Sequence, residues 1–401
     1  MPASGPLSGL KVIELAHIMA GPFCGQLLAD MGADVIKVEK VPGGDDTRRM
    51  VPPQIDGESA AFMILNRNKR GVAINLKTSA GKAVLQKLLN TADVVVENFR
   101  VGTMERLGLG YETLRAQNPG LIYCQITGFG RTGPYADRAG FDLIAQGIAG
   151  LMSVTGEGPG HPPIKAGVPV GDISAGTLAA MGVLAAYIHR LKSGEGQLVD
   201  TSLLEASIIN TAWVSAIFLA TGVSPGALGS AHPMAAPYQA MQTADGWINV
   251  GAANQANWLR LVEVVDRPEL AEDPRFIDNA GRMQNLSPLI EILTNSFKQH
   301  DTAQWLARLE AAGVPAGPVL SIGDMLRDPQ VRAREMVLEV DHSRLGRTKT
   351  LGSPVKFSTT PTSVRRGAPL LGEHTREILD EYGYSQSEID ALASAGDVIL
   401  Y

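Results

Sequence analysis

The sequence predicts an α/β fold in which a mostly parallel sheet is covered by helices, joined to a smaller α+β unit. Three observations lead there. Short apolar runs alternate with helix-period segments from Leu10 to Thr127; the residues that follow those runs are rich in cations, amides and aromatics; and the pattern changes beyond a Gly/Pro linker at Gly222–Gly229. Such alternation implies parallel strands joined by helical crossovers, and ligands of such sheets bind outside the carboxyl ends of the strands.

The elements follow in order. Leu10–Leu15 (LKVIEL) reads as a strand, followed by a helix that ends near Met31-Gly32, and Ala33–Glu39 as a second strand. Arg70–Leu76 is a third, Gly81–Leu89 an amphipathic helix, Ala92–Asn98 a strand, Tyr111–Gln117 a short helix and Leu121–Thr127 a further strand. Phe141–Met152 and Ile173–Leu191 carry helical patterns, Gln197–Leu203 a strand pattern, and Glu205–Thr221 reads as one apolar helix. Beyond the linker, strands at Tyr238–Gln242 and Trp247–Gly251 and helices at Asn257–Val265, Pro288–Lys298 and Thr302–Ala312 compose the smaller unit. Strand character returns at Met336–Val340 and Lys349–Phe357, before a terminal helix. The division is 1–205 for the first part of the large domain, 206–228 for a helix and linker, 229–325 for the small domain, and 326–401 for the return to the large one.

One carboxylate stands at the junction between an apolar run and the longest helical pattern. Asp172 immediately precedes Ile173, Thr177, Ala180, Met181, Leu184, Ile188 and Leu191, a spacing that lays an apolar stripe along one helix face. It reads as the helix N-cap, held by backbone N–H groups and the helix dipole, and so ionised near neutral pH. A purely structural cap and a carboxylate nucleophile both fit that position.

Composition narrows the classes. With 45% hydrophobic and 19% charged residues in 401, the chain is globular rather than disordered, and a net charge of -6 argues against nucleic acid or a membrane surface as the main partner. Its apolar stretches read as too short or too interrupted to span a bilayer. The two cysteines, Cys24 and Cys124, have no CxxC spacing, which fits a cytoplasmic protein without a disulfide framework or structural metal. The turn Ala16–Pro22 lacks GxGxxG, against a nicotinamide or flavin cofactor. Cations nevertheless recur after the strands, at Lys40, Arg48, Arg49, Arg67, Lys69, Arg100, Arg106, Arg131 and Arg138. They suit the phosphates of a nucleotide-like ligand, or are scattered surface charges.

Taken together, the strings LSGLKVIEL, AHIMAGP, GADVIKVEKVPGGDDTR, LNRNKRGVAINLKT, ADVVVENFRVGTMERLGLGYETL, GFGRTGPYADRAGFD, VPVGDISAGTLAAMGVLAA, SGEGQLVDTSLLEA, GVPAGPV and PLLGEHT resemble the class III CoA-transferases, a family that includes the α-methylacyl-CoA racemases. The resemblance implies a Rossmann-like large domain built from both ends of the chain, a small domain between linkers, and an interlocked homodimer. It implies coenzyme A and acyl-CoA as substrates, no prosthetic group and no metal. Asp172 matches the family nucleophile. His17, Met19, Ala20, Lys40, Asn68, Lys69, Asn98, Phe99, Thr103 and Arg106 match CoA-contacting positions, with Arg138 a looser match.

Two departures from the family pattern direct the functional reading. Racemases of the family carry a His where this chain has Phe141, and a phenyl ring transfers no proton, so transfer is favoured over stereoinversion. Asp142 beside it either positions the nucleophile or is a surface or capping carboxylate. The segment Leu228–Gln239 lacks the glycine run of formyl-CoA transferases and resembles the branch that uses succinyl-CoA and dicarboxylic acids, with His232 a candidate for binding an acyl carboxylate. The sequence therefore leads to an acyl-CoA:carboxylate CoA-transferase with a succinyl-CoA-like donor and a small mono- or dicarboxylic acceptor. A 2-methylacyl-CoA racemase and a catalytically silent CoA-binding protein are the alternatives.

Overall fold

A computed structural model describes residues 5–401. The described chain divides into two compact units. The larger holds residues up to Ala149, Ala166–Thr211 and Pro329–Tyr401; the smaller holds Gly150–Lys165 and Ala212–Asp328. The stretch 150–165, read from sequence as part of the large domain, groups with the smaller unit, where the Gly229 N–H donates to the Gly156 carbonyl at 2.8 Å.

The larger unit is a seven-stranded sheet in the spatial order Val398–Ile399, Arg70–Ile74, Asp34–Lys40, Lys11–Glu14, Val94–Glu97, Ile122–Thr127, Leu198–Ser202. Every neighbouring pair is parallel except the first, where Val398 and Ile399 run antiparallel to Ile74 and Ala73. The strands are apolar on both faces because both are covered. Val12, Val35, Val94 and Val96 pack into one cluster with Cys24, Leu28, Ala175, Ala179 and Val183. Their alternates Ile13, Ile36 and Val95 pack into another with Val84, Leu85, Leu88, Ile378 and Leu379. This is the two-residue period of a strand read against two helical layers.

Local chemistry sets the helix boundaries. Thr78 caps Ser79–Leu89 by accepting from the Gly81 N–H at 3.0 Å, and Ser202 caps Leu203–Ile209 through the Glu205 N–H at 3.1 Å. The longest helix, Val170–Ser193, ends at Gly194, whose φ of 79° lies in the left-handed region. By length and composition this helix could cross a membrane, contrary to the reading that no stretch is long enough. Its small residues Ala175, Ala179, Val183 and Ala186 are instead packed at 0–1% exposure in the core.

Two helices predicted as single are broken. Phe141–Met152 resolves into Asp142–Ile148 and Leu151–Val154, separated at Gly150, which has a φ of 82°. Glu205–Thr221 resolves into Leu203–Ile209 and Ala212–Thr221. Continuous apolar composition conceals such breaks, because it fixes no face.

The smaller unit carries a three-stranded antiparallel sheet, Tyr238–Gln242, Trp247–Gly251 and Ala316–Pro318, packed on helices Gln255–Val264, Leu286–Phe297 and Thr302–Ala311. Trp258, Phe276, Phe297 and Trp305 fill its core, and the Trp305 indole N–H donates to the Phe297 carbonyl at 2.6 Å. Arg282 is fully buried yet satisfied, donating to the carbonyls of Ala236 and Phe276.

Candidate active site

The order of the large sheet creates its binding crevice. From Lys11–Glu14 the chain first builds outward through Asp34–Lys40 and Arg70–Ile74, then returns to lay Val94–Glu97 on the opposite side. The loops leaving Lys11–Glu14 and Val94–Glu97 therefore diverge, and the gap between them is where doubly wound sheets bind ligands. Side chains stitch the two loops together. Asn98 accepts from the His17 N–H through Oδ1 at 2.9 Å and donates through Nδ2 to the His17 carbonyl at 2.8 Å. The Phe99 N–H donates to Glu97 at 2.7 Å, and burial pushes that carboxyl up to about 8.

A cleft of about 460 Å³ opens there. It brings together ten of the residues singled out from sequence: His17, Met19, Ala20, Asn98, Phe99, Thr103, Arg138, Phe141, Asp142 and Asp172. Lys40 lines an adjoining cavity of about 170 Å³ that shares His17 and Phe99 with the first. Arg106 is exposed and donates to the Thr103 hydroxyl at 2.9 Å. Arg100, one of the cations that follow the strands, also lines the cleft, as does Asp46, which sequence reading did not select.

Two expected ligand contacts are corrected. Lys69 is fully buried, its ammonium bound to Glu14 at 2.8 Å, the Pro22 carbonyl at 2.7 Å and Asn66 at 2.8 Å. Asn68 is likewise buried and bridges Asp30, the Ser363 carbonyl and the Arg365 N–H. Neither side chain lines the cleft. Arg48 is also internal, paired with Glu39 at 2.7 Å over the Phe62 ring.

Lys69 belongs to a buried ion cluster beneath the His17 turn. Lys37, fully buried, reaches Glu14 at 3.0 Å, Asp45 at 2.8 Å and the Ala16 carbonyl at 2.9 Å. Burial opposes its charge, but the carboxylates of Glu14, Asp45 and Glu39 outweigh burial and raise its pKa. Asp45 in turn accepts from the Ile18 N–H with both oxygens, at 3.1 and 3.3 Å. Ile18 has a φ of 67°, a strained conformation for a β-branched residue, and the bonds on either side hold it there. Burial lowers the His17 imidazole pKa, with partial opposition from Asp45 and Asp46, so the ring is neutral at pH 7.

The far wall of the cleft is the start of Val170–Ser193. Asp172 was expected to be its cap; the cap is Asp142. The helix starts at Val170, which puts Asp172 within its first turn, and Asp142 Oδ1 accepts from the N–H groups of Gly171 at 2.8 Å and Asp172 at 3.4 Å. A side chain at position 171 would prevent this, since a Cβ would lie 2.7 Å from Ser207 Oγ and 2.9 Å from Asp142 Oδ1. Relieved of capping, the Asp172 carboxylate accepts no hydrogen bond among the described residues. Nor is it the fully ionised group expected: burial, and then the charge of Asp142, push it up to about 7.

His232 lies in the smaller unit. Its Nδ1 accepts from the Met234 N–H at 3.1 Å, and its ring meets those of Trp213 and Tyr238 edge to face. The neutral ring then carries its proton on Nε2.

A cleft at a sheet switch point, walled by cations on one side and by an uncommitted carboxylate at a helix start on the other, defines an α/β group-transfer enzyme. The chain belongs to CoA-transferase family III, which it matches over residues 7–375. It is 43% identical to succinate–glutarate CoA-transferase of Agrobacterium fabrum, over 94% of this chain and 95% of that one. It is 42% identical to succinyl-CoA:mesaconate CoA-transferase of Haloarcula marismortui, over 94% and 97% respectively. Among solved structures, a CAIB/BAIF family protein from Brucella suis superposes with a TM-score of 0.84 at 41% identity, covering 94% of this chain and all of that one. The family resemblance and the enzyme reading are thereby borne out, as is the α/β class with a mainly parallel sheet.

Proposed function

We propose that this enzyme moves coenzyme A from succinyl-CoA or a similar donor to a small mono- or dicarboxylic acid, with Asp172 as covalent nucleophile. The observation that carries the reading is the division of labour among the carboxylates of the cleft. Asp46 is paired with Lys40 and Arg49, and Asp142 is committed to the helix N-terminus. Only Asp172 has both oxygens uncommitted among the described residues. Its raised pKa also makes the ionised form a stronger nucleophile than an ordinary carboxylate.

The chemistry runs in four balanced steps. An Asp172 oxygen attacks the thioester carbonyl and expels CoA thiolate, leaving a mixed anhydride. The thiolate attacks the aspartyl carbonyl, releasing the donor acid and leaving an aspartyl-CoA thioester. The acceptor carboxylate attacks that thioester, forming a second anhydride and freeing the thiolate again. Thiolate attack on the acceptor acyl carbon yields the new acyl-CoA and restores Asp172. No hydrolysis occurs, so the free energy of the thioester is retained. Arg100, Arg106, Arg138 and Lys40 supply charge for the ligand phosphates, and Asn98 shapes the wall by holding the His17 turn. Phe141 brings a ring without a proton to transfer, which supports transfer over racemisation. On the smaller unit, the His232 Nε2–H is a candidate donor to a carboxylate, in keeping with the dicarboxylates in the relatives' names.

The test is mass spectrometry of protein mixed with succinyl-CoA across pH. An adduct on the peptide containing Asp172 is expected. Because the carboxylate is the attacking form, its rate of formation rises as pH passes through about 7 and levels off above. Failure to form any adduct, together with no acceptor-dependent exchange, sinks the reading.

A homodimer is part of the proposal. Met181, Ile188, Leu191, Ile208 and Ile209 are exposed on the larger unit, and Trp213, Phe218, Leu219 and Val223 on the smaller, and a second copy would shield such apolar side chains from water. Light scattering after size exclusion should give twice 42.5 kDa at micromolar concentration; a single-chain mass refutes the dimer.

A further inference from the structure

Gln146 has no role in the chemistry above, yet it is fully buried against the group that caps the nucleophile's helix. It lies four residues after Asp142 on Asp142–Ile148, so the two side chains share a helix face. Its carboxamide Nε2 donates to Asp142 Oδ2 at 2.6 Å and its Oε1 accepts from the Ala166 N–H at 2.9 Å. Asp142 is thus held at both oxygens, by Gln146 on one and by the N–H groups of Gly171 and Asp172 on the other. The same amide also ties down the segment that leads into Val170–Ser193.

We propose that Gln146 is a positioning residue for CoA transfer, an amide bracket that fixes Asp142 on the helix N-terminus and so keeps the Asp172 carboxylate uncommitted and in register with the cleft. The inference rests on Asp172 being the nucleophile. An amide meets both demands at any pH, because the site needs a donor toward Asp142 and an acceptor toward Ala166 on one planar group.

The charged groups around the bracket are Asp142 on its own helix, Asp172 on Val170–Ser193, and Glu205 on Leu203–Ile209, which is turned to the Ser202 hydroxyl at 2.6 Å. His17, Asp46, Arg100 and Arg138 line the cleft beyond. All are present in the wild type as well, so the ratio of activities removes their common contribution and leaves the effect of the group introduced at 146, including its coupling to Asp142 and Asp172.

The decisive variant is Gln146→Glu. Two carboxyls at this separation share one proton. At pH 6 the introduced carboxyl is protonated and donates to Asp142 as the amide did; at pH 9 the proton has left and the carboxylates repel. The variant-to-wild-type ratio of kcat is expected near one at pH 6 and to fall about tenfold or more by pH 9, while melting curves report folded protein at both pH values. Gln146→Met, which has neither group, is expected to lose roughly 10–100-fold in kcat with KM for acyl-CoA changed less than about threefold.

A flat ratio for Gln146→Glu, or one that falls only in step with unfolding, overturns the proposal while leaving the nucleophile intact. Wild-type protein that forms no Asp172 adduct at any pH overturns the nucleophile reading, and this inference with it.

Discussion

Asp172→Asn is expected to lower CoA transfer roughly 10⁴-fold or more in a steady-state exchange assay, with folding preserved. The substitution is isosteric, and an amide cannot form the anhydride. No hydrogen bond to the side chain is lost, because none is made among the described residues. Stability moves the other way. The Asp172 pKa is raised from 3.8 to about 7 by burial and then by Asp142, so the native state keeps a proton that the unfolded chain has released. The stabilisation linked to that proton is fully present below about pH 4 and disappears as pH rises through 7. At pH 8 the wild type therefore holds a charge that its surroundings oppose, and the asparagine variant should melt at a higher temperature there, with the gap closing toward pH 5. Residual activity above about one per cent, or a lower melting temperature at pH 8, contradicts the assignment.

Lys37→Met is expected to cost about 3–5 kcal/mol in urea unfolding, the usual consequence of removing one member of a buried ion cluster. Lys37 bridges Glu14, Asp45 and the Ala16 carbonyl, and none of the three has solvent to replace it. The variant also loosens Asp45, whose pKa is held well below the usual carboxylate range by the Lys37 charge and several hydrogen bonds despite burial. Asp45 is what holds Ile18 in the left-handed region, so the His17–Ala20 wall should relax and transfer fall along with stability. A loss below about 1 kcal/mol would mean that the cluster is hydrated or readily rearranged.

Part of the candidate site was legible because strand ends are readable and doubly wound sheets use them. His17, Asn98, Phe99 and Arg138 come after apolar runs and Asp172 stands at the start of a helical one, whereas Phe141 and Asp142 enter only through the family resemblance. The errors have physical causes. Asp172 was read as a cap since the local string offers no other; the actual cap, Asp142, comes from 30 residues upstream and only the tertiary fold delivers it. The family resemblance places Lys69 and Asn68 among the ligand contacts, but Glu14 and Asp30, buried on neighbouring elements, hold their side chains. Gln146 could have been found from its i, i+4 spacing to Asp142. The strand Val398–Ile399 is too short for any period to announce it.

That strand sets the order in which the enzyme can be made. A ribosome delivers the six parallel strands by Ser202, then the whole of Ala212–Asp328, and only afterwards Val398–Ile399, which covers the edge of Arg70–Ile74. The larger unit is begun first and completed last, so a nascent chain carries an open, apolar sheet edge for most of its synthesis. Slow long-range closure and exposed edges favour mispairing, which makes the yield of this enzyme in a cell a matter of translation speed and chaperone supply as well as of final stability.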